Sequence, residues 1–572
     1  MSEYRYKRKK NKGKKIAAII IAIAAAAAAA AGFFVYRYLI ESNERLAPVD
    51  YYKAGEMGSA EGLIVINGNV MEERAYFFNG GGYLPLEFVD RELNDRFYYD
   101  KETDGILYTN GEGTMSISVG VTEYTDTKGA TVKAERAPFI KENDRYYIDA
   151  EFIQSFTSMT ATTQTDPARV AITYGTKGWD GAGVLEDAPV RYYAGIKSNI
   201  ITDVKAGDSV KVEGTEGDWT KVYTEDGFTG YVKSSKLSDV ALVKKDPVDA
   251  DTYKHNKVDT PFSMAWFAVT NAVANQNAAE QTKEIQGLDI ICPTWYSFAD
   301  NKGTINDFSD AGMVEDFHNK GLKVWPVVND FTNEVNIKEI LSSKAMRTRM
   351  IERLMSDAAF VKYDGLNVDF ETITNDSSKD FLQFVRELSV ECHKNNIVLS
   401  IDDYPPKGYN SYYDMEEQGQ YVDYVVLMNY DEHYAGSDEP GSVSSINFVK
   451  ENIDAALEHV PAEKLVNALP FYTRIWGVDG SGKIISNAST GMKETADNIA
   501  ANNAAVTWSD QYGQNVATYE KEGAKYSIWV EDAKSLKLKL DATKEKQLAG
   551  VAFWRLGYET ADIWSVITEY KK

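Results

Sequence analysis

From residue 262 onward the chain reads as short, nearly continuous apolar runs separated by longer amphipathic stretches. The runs are FSMAWFAV (262–269), LDIICPTWYSF (288–298), KVWPVVN (323–329) and DGLNVDFE (364–371), followed by IVLSID (397–402), VDYVVLMNY (422–430), LVNALPFY (465–472) and GVAFWRLG (550–557). Runs of this kind predict strands buried on both faces, which belong to parallel sheets covered by helices. The stretches between them, such as SKDFLQFVRELSVECHKNN, carry apolar residues at helical spacing. Eight such strands with intervening helices predict an α/β fold, a (β/α)8 barrel over residues 258–572. The long gap at 473–549 predicts an insertion before the eighth strand, whose last part, YSIWVEDAKSLKLKLDATKEKQ, includes the final helix of the gap.

Before residue 258 the pattern changes to short alternating strands. YLPLEFV (83–89) and YIDAEFI (147–153) match in outline, each after a turn, which predicts a duplicated α+β accessory domain over 61–175. It resembles the N-terminal domain of copper amine oxidases, as a packing module without catalytic groups. A glycine-rich linker, GTKGWDGAG, is expected at 175–183, and a small all-β domain at 185–240, with strands punctuated by Gly and Asp turns. Its series Trp219, Lys221, Val222, Asp226, Gly227, Gly230, Tyr231 and Val232 resembles a bacterial SH3 domain, which implies contact with cell-wall peptides. Residues 37–60 read as a polar stalk and 238–260 as a second linker.

Charge adds a direction. Residues 1–15 carry eight Lys/Arg against one Glu, and residues 16–36 carry no charge at all. Twenty-one helical residues span about 30 Å, the thickness of a bilayer's hydrocarbon core. The basic tail then stays in the cytoplasm, 16–36 is a transmembrane anchor, and the bulk of the chain lies outside. The alternative is a signal peptide cleaved within the alanine run. The net charge of −24 becomes −31 once the +7 tail is set aside, which disfavours nucleic acid as a partner. Cys292 and Cys392 are expected as buried free thiols. The five histidines (255, 318, 393, 433 and 459) are scattered in sequence, so neither a metal site nor a cofactor is expected.

The run YDGLNVDFET (363–372) holds the chemistry. Residues two apart on a strand share a face, so Asn367, Asp369 and Glu371 point one way while Leu366, Val368 and Phe370 point the other. Glu371 comes at the C-terminal end of the strand, where barrel enzymes keep their catalytic groups. No Lys or Arg is interleaved to make this a structural ion-pair network.

DGLNVDFE resembles the D-G-x-D-x-D-x-E signature of family 18 glycoside hydrolases. MNYD (428–431), PFYTRIW (470–476, with Thr473 where glycine is usual) and FWRLG (553–557) resemble the same family's strand ends. The combination is closest to its spore-cortex-lytic and germination-type branch. The resemblance implies Glu371 as general acid and base, Asp369 as the group orienting a substrate acetamide, and Tyr430 as donor to the acetamide oxygen. It implies substrate contacts for Asn367, Met428, Asp431, Tyr472 and Arg474, and Trp554 as an apolar floor. The implied activity is retaining, substrate-assisted hydrolysis of β-1,4 bonds after N-acetylglucosamine, in peptidoglycan or a related glycan. The alternative is a non-catalytic glycan-binding scaffold using the same pocket. Asn367 departs from the signature. Its amide is expected to donate to Asp369, hold it in one orientation and lower its titration.

Overall fold

The computed structural model describes residues 2–246, 253–332 and 335–572; part of the second linker, 247–252, falls outside them. The chain gathers into two compact units. One holds the residues up to Phe97, Ile117–Glu123 and the chain from Lys133 to the second linker; the other holds Tyr98–Ser116, Tyr124–Val132 and the C-terminal region.

In the C-terminal unit eight parallel strands close on themselves. They are β1 (Phe262–Phe267), β2 (Ile290–Pro293 and Tyr296–Phe298), β3 (Lys323–Val324 and Val327–Asn329), β4 (Gly365–Asp369), β5 (Val398–Asp403), β6 (Tyr424–Met428), β7 (Leu465–Pro470) and β8 (Gly550–Trp554). β8 pairs with β7 on one side and with β1 on the other, which completes the ring. Two apolar layers result. Phe262, Met264, Trp266, Trp325, Val426 and Ala552 fill the inside. Leu366, Val368 and Phe370 of the β4 run face outward to Phe381, Phe384 and Leu388 of the helix Ser378–Lys394.

β4 is shorter than its apolar run. Past Asp369, the ladder bonds are replaced by the carboxylate of Asp330, which accepts from the backbone N–H groups of Glu371 (2.8 Å) and Thr372 (2.9 Å). Glu371 is therefore held just beyond the strand. β7 also ends early. Tyr472–Val478 leaves the barrel and becomes a strand of a five-stranded antiparallel sheet, with Ile484–Gly491 on one side and Ala524–Val530 on the other. This sheet and the helices Met492–Ala501 and Ala533–Glu545 occupy the gap before β8.

The segment Tyr98–Ser116 clusters with the barrel, although the strand pattern assigns it to the accessory domain. Its polar groups answer buried groups on the barrel helices. Tyr98 donates to Asp380 (2.6 Å), Gln383 donates to Thr109 (3.0 Å), and the Arg347 guanidinium lies 5.1 Å over the Tyr98 ring.

In the other unit, the two similar segments of the sequence are sheet neighbours. Gly81–Pro85 and Arg145–Asp149 pair antiparallel, Leu84 opposite Ile148, and each leads into a short helix. Two expectations are corrected here. The glycine-rich stretch is a strand, Trp179–Gly183, between Ser209–Glu216 and Ala241–Val243. Its Gly181 is required by close approach, since a Cβ there would lie 2.5 Å from Val243. Nor is 37–60 a free stalk. Glu41 pairs with the buried Arg191 (3.0 Å), the Leu46 N–H donates to the Ile200 carbonyl (2.9 Å), and Tyr52 is buried with its hydroxyl on the Gly227 carbonyl (2.7 Å). Two tyrosines and an aliphatic residue in a polar stretch gain more by packing on the small sheet than by hydration. The N-terminal helix runs Ser2–Tyr38, and its part Lys12–Tyr38 is long and apolar enough to cross a membrane.

Gly365 explains the glycine of the DG pair. A Cβ there would sit 2.6 Å from the Trp325 indole inside the barrel. Gly365→Ala should destabilise the barrel by about 1–3 kcal/mol through overpacking. Denaturant unfolding followed by tryptophan fluorescence measures this, and an unchanged midpoint would contradict the close contact.

Candidate active site

The inward column of β4 begins with Asn367, fully buried and fully engaged. Its Oδ1 accepts from Trp266 Nε1 (2.9 Å), and its Nδ2 donates to Ser400 Oγ (3.0 Å) and Asp402 Oδ1 (2.7 Å). An indole nitrogen can only donate, so the amide oxygen must face Trp266 and the NH2 must face β5. The expected bond from Asn367 to Asp369 is therefore absent, and Asn367 is a clamp on Asp402. Nor is the Asp369 carboxyl lowered. Burial first, then the charges of Asp402, Glu371 and Asp330, push it well above the usual carboxylate range.

Glu371 stands at the mouth. Burial raises its carboxyl, the Tyr404 hydroxyl donates to Oε2 and opposes the rise, and Asp330 and Asp431 add to it. Asp330, itself raised by burial, also accepts from Thr372 Oγ1 (2.6 Å). The Tyr413 hydroxyl donates to the Phe370 carbonyl (3.0 Å). Both contacts fix the backbone that carries Glu371.

The other candidates follow from the ends of β6, β7 and β8. Met428 ends β6, and Tyr430 lies two residues beyond it. Asp431 adopts a left-handed conformation (φ 57°) and accepts the hydroxyl hydrogen of Tyr472. The Tyr430 and Tyr472 rings meet edge to face at 6.3 Å. Trp554 ends β8 and packs on Trp266 at 5.7 Å. A cavity of about 710 Å³ opens at this end of the barrel, and Asp369, Glu371, Tyr430, Asp431, Tyr472 and Trp554 line it together with Met428. Arg474 does not line it. It follows the chain into the inserted sheet, where Nη1 donates to the Asn487 carbonyl (2.9 Å).

The family model for glycosyl hydrolases family 18 matches residues 264–559, more than half the chain and the whole set of strand ends just described. The chain belongs to glycosyl hydrolase family 18. The bacterial SH3 domain model matches residues 186–238, and the copper amine oxidase N-terminal domain model matches 65–172. The chain is 26% identical over 306 residues to the uncharacterized glycosylase YvbX of Bacillus subtilis, covering 51% of this chain and 87% of the relative. It is 24% identical over 246 residues to the cortical fragment-lytic enzyme of the same organism, covering 42% of this chain but only 57% of that enzyme. Among solved structures it is similar to the Bacillus cereus spore cortex-lytic enzyme SleL, at 19% identity and a TM-score of 0.49, over 54% of this chain and 74% of that one.

As a family 18 glycoside hydrolase the chain has site groups that its motifs do not announce. Asp330, Asp402 and Tyr404 act on the acidic pair from β3 and β5. Exposed aromatics, Phe331, Tyr409 and Tyr434, stand around the cavity mouth. All lie outside DGLNVDFE and its companion runs. The one available signal was the pair of acids in the apolar run IVLSIDD.

The scattered histidines are also partly gathered. His255, His393 and Asp423 converge, with Asp423 Oδ1 3.4 Å from His255 Nδ1 and 3.2 Å from His393 Nε2. Asp423 already accepts from the backbone N–H groups of Asn256 (2.7 Å) and Leu399 (2.8 Å), and Lys464 Nζ lies 2.9 Å from His255 Nε2. These contacts make a hydrogen-bonded cluster in which the ammonium already occupies one face of His255.

Tyr404→Phe gives a signed test of the mouth. The phenol donates to ionised Glu371 and so favours the charged form; without it the Glu371 carboxyl titrates higher. A reaction that needs protonated Glu371 then persists to higher pH, and the alkaline limb of kcat/KM should move up. An unmoved limb would remove Tyr404 from the control of Glu371.

Proposed function

We propose that the protein is a membrane-anchored, extracytoplasmic glycosidase that cleaves β-1,4 bonds after N-acetylglucosamine in peptidoglycan, with retention of configuration. One observation carries the reading: a half-buried Glu371 whose carboxyl is raised, facing a cavity beside Asp369, Tyr430 and Trp554. A raised carboxyl keeps its proton to higher pH than an ordinary glutamate and can protonate the glycosidic oxygen. Glu371 is the general acid, and then the base that activates water. Family 18 enzymes use the substrate's own acetamide as nucleophile. Asp369 orients that acetamide and offsets the positive charge that develops on it. Tyr430 donates to the acetamide oxygen, and Asp431, held by Tyr472, supports the same subsite. Trp554 is the apolar floor under the sugar, and Met428 lines its edge. Asn367 and Arg474 leave the list of substrate contacts, the first because all its polar atoms are engaged in the core, the second because it lies off the cavity.

The choice of wall glycan draws on three features. A relative is named as a cortical fragment-lytic enzyme, an SH3 domain suits wall peptides, and a helix long enough to span a membrane precedes both domains. The test uses full-length protein in detergent with peptidoglycan, chitin oligosaccharides and poly-N-acetylglucosamine, and identifies new reducing ends by mass spectrometry. Glu371→Gln should lower turnover by about 10²–10⁴-fold. Equal product from both proteins, or none from either on every glycan, would defeat this reading; only the second outcome would leave the scaffold reading in its place.

A further inference from the structure

β4 and β5 run parallel with Asn367 opposite Ser400 and Val368 opposite Ile401. The next step of that register sets Asp369 beside Asp402, on the same inward face. Both are nearly sealed from solvent, 4% and 2% exposed. One oxygen of each, Asp369 Oδ1 and Asp402 Oδ2, is buried without any donor among the described residues. Two ionised carboxylates can offer each other nothing but repulsion, whereas one proton turns the contact into a hydrogen bond.

The surroundings fix which oxygen is left for that bond. Trp266 can only donate, so the Asn367 amide is turned with its NH2 toward β5, and Asp402 Oδ1 is committed to accepting from it. Ser400 Oγ, which accepts from the same NH2, donates onward to the Leu366 carbonyl (3.3 Å). Oδ2 remains for Asp369. The other titratable groups that bear on the pair are Glu371 beyond β4, Asp330 beyond β3, Asp403 on β5, Tyr404 after it, Tyr430 beyond β6 and Cys292 on β2; none is a cation.

We propose that Asp369 and Asp402 hold one proton in common between these two oxygens, and that Asp402, oriented by Asn367 and Trp266, is the positioning residue that sets the protonation of Asp369. The pair then carries a single negative charge. The proton passes between Asp402 Oδ2 and Asp369 Oδ1, and no bond other than O–H forms or breaks. The inference rests on the role given to Asp369 above.

Infrared difference spectroscopy of the full-length protein in detergent, across a pH titration, counts protonated carboxyls without any substrate. Replacing both groups (Asp369→Asn with Asp402→Asn) should remove one protonated carboxyl at neutral pH; a loss of none or of two overturns the proposal. Asp402→Asn alone should remove the same one. The new amide must accept from Asn367, so its NH2 turns to Asp369 and keeps it ionised. The exchange Asn367→Asp with Asp402→Asn reverses that polarity, because the amide at 402 then donates to 367 and offers its oxygen to Asp369. The lost carboxyl signal should return. This variant keeps a partner for every polar group, so it remains informative if Asp402→Asn folds poorly. In kinetics, Asp402→Asn should lower kcat about a hundredfold with KM little changed, and the exchange should recover at least about tenfold. A kcat indifferent to Asp402→Asn, while Glu371→Gln abolishes turnover, overturns this inference alone. Turnover that survives Glu371→Gln defeats the reading beneath it, and the infrared count still decides the proton.

Discussion

Crowded negative charge is the constraint around which this barrel mouth is built. Asp330, Asp369, Glu371 and Asp402 crowd the ends of β3, β4 and β5, and the charges that raise Asp369, Glu371 and Asp402 are those of other carboxylates. Burying ionised groups in this way costs several kcal/mol each unless they are paired. The least costly state keeps some of them protonated, and a protonated carboxyl at neutral pH is what general acid catalysis requires. Elsewhere in the same unit, buried charge is neutralised in the ordinary way. Arg347 pairs with Glu387 (2.8 Å), Arg386 with Glu417 (2.6 Å), and Lys539 with Glu531. The contrast separates structural charge from chemical charge within one domain.

The rest of the barrel serves to keep that cluster in register. Asp330 turns its carboxylate onto the backbone after β4, so a charged group stands in for the missing strand ladder and fixes where Glu371 emerges. Trp266, Trp325 and Phe262 fill the interior below, which removes water from the lower half of the column and sharpens the electrostatics above it. The inserted sheet takes over from β7 at Tyr472, leaving that tyrosine at the cavity while carrying Arg474 away. The exposed aromatics at the mouth give flat apolar faces of the sort that sugar rings stack on.

Much of this was legible in the order of residues. Eight apolar runs gave the eight barrel strands, because parallel strands covered on both sides must be apolar throughout. The similarity of YLPLEFV and YIDAEFI pointed to two related strands, and these pair with each other. The alternation in GLNVDFE put Asp369 and Glu371 on the inner face, and the ends of β6, β7 and β8 supplied Tyr430, Tyr472 and Trp554. Glycine misleads at 175–183: it reads as freedom in the sequence, where Gly181 instead allows close approach between strands.

Periodicity along one strand therefore determined which residues face inward, and motif spacing determined which strand ends meet at the cavity. The partners of those residues were decided only by the closed sheet. Asn367 lies two residues from Asp369, yet it donates to Asp402, thirty-five positions away, because its orientation is dictated by the indole of Trp266, a hundred and one positions earlier. Hydrogen-bond polarity depends on which donor or acceptor arrives from the neighbouring strand, and strand neighbours in a barrel are remote in sequence. The same reason gathers His255, His393 and Asp423 into one cluster and sends Arg474 out of the site.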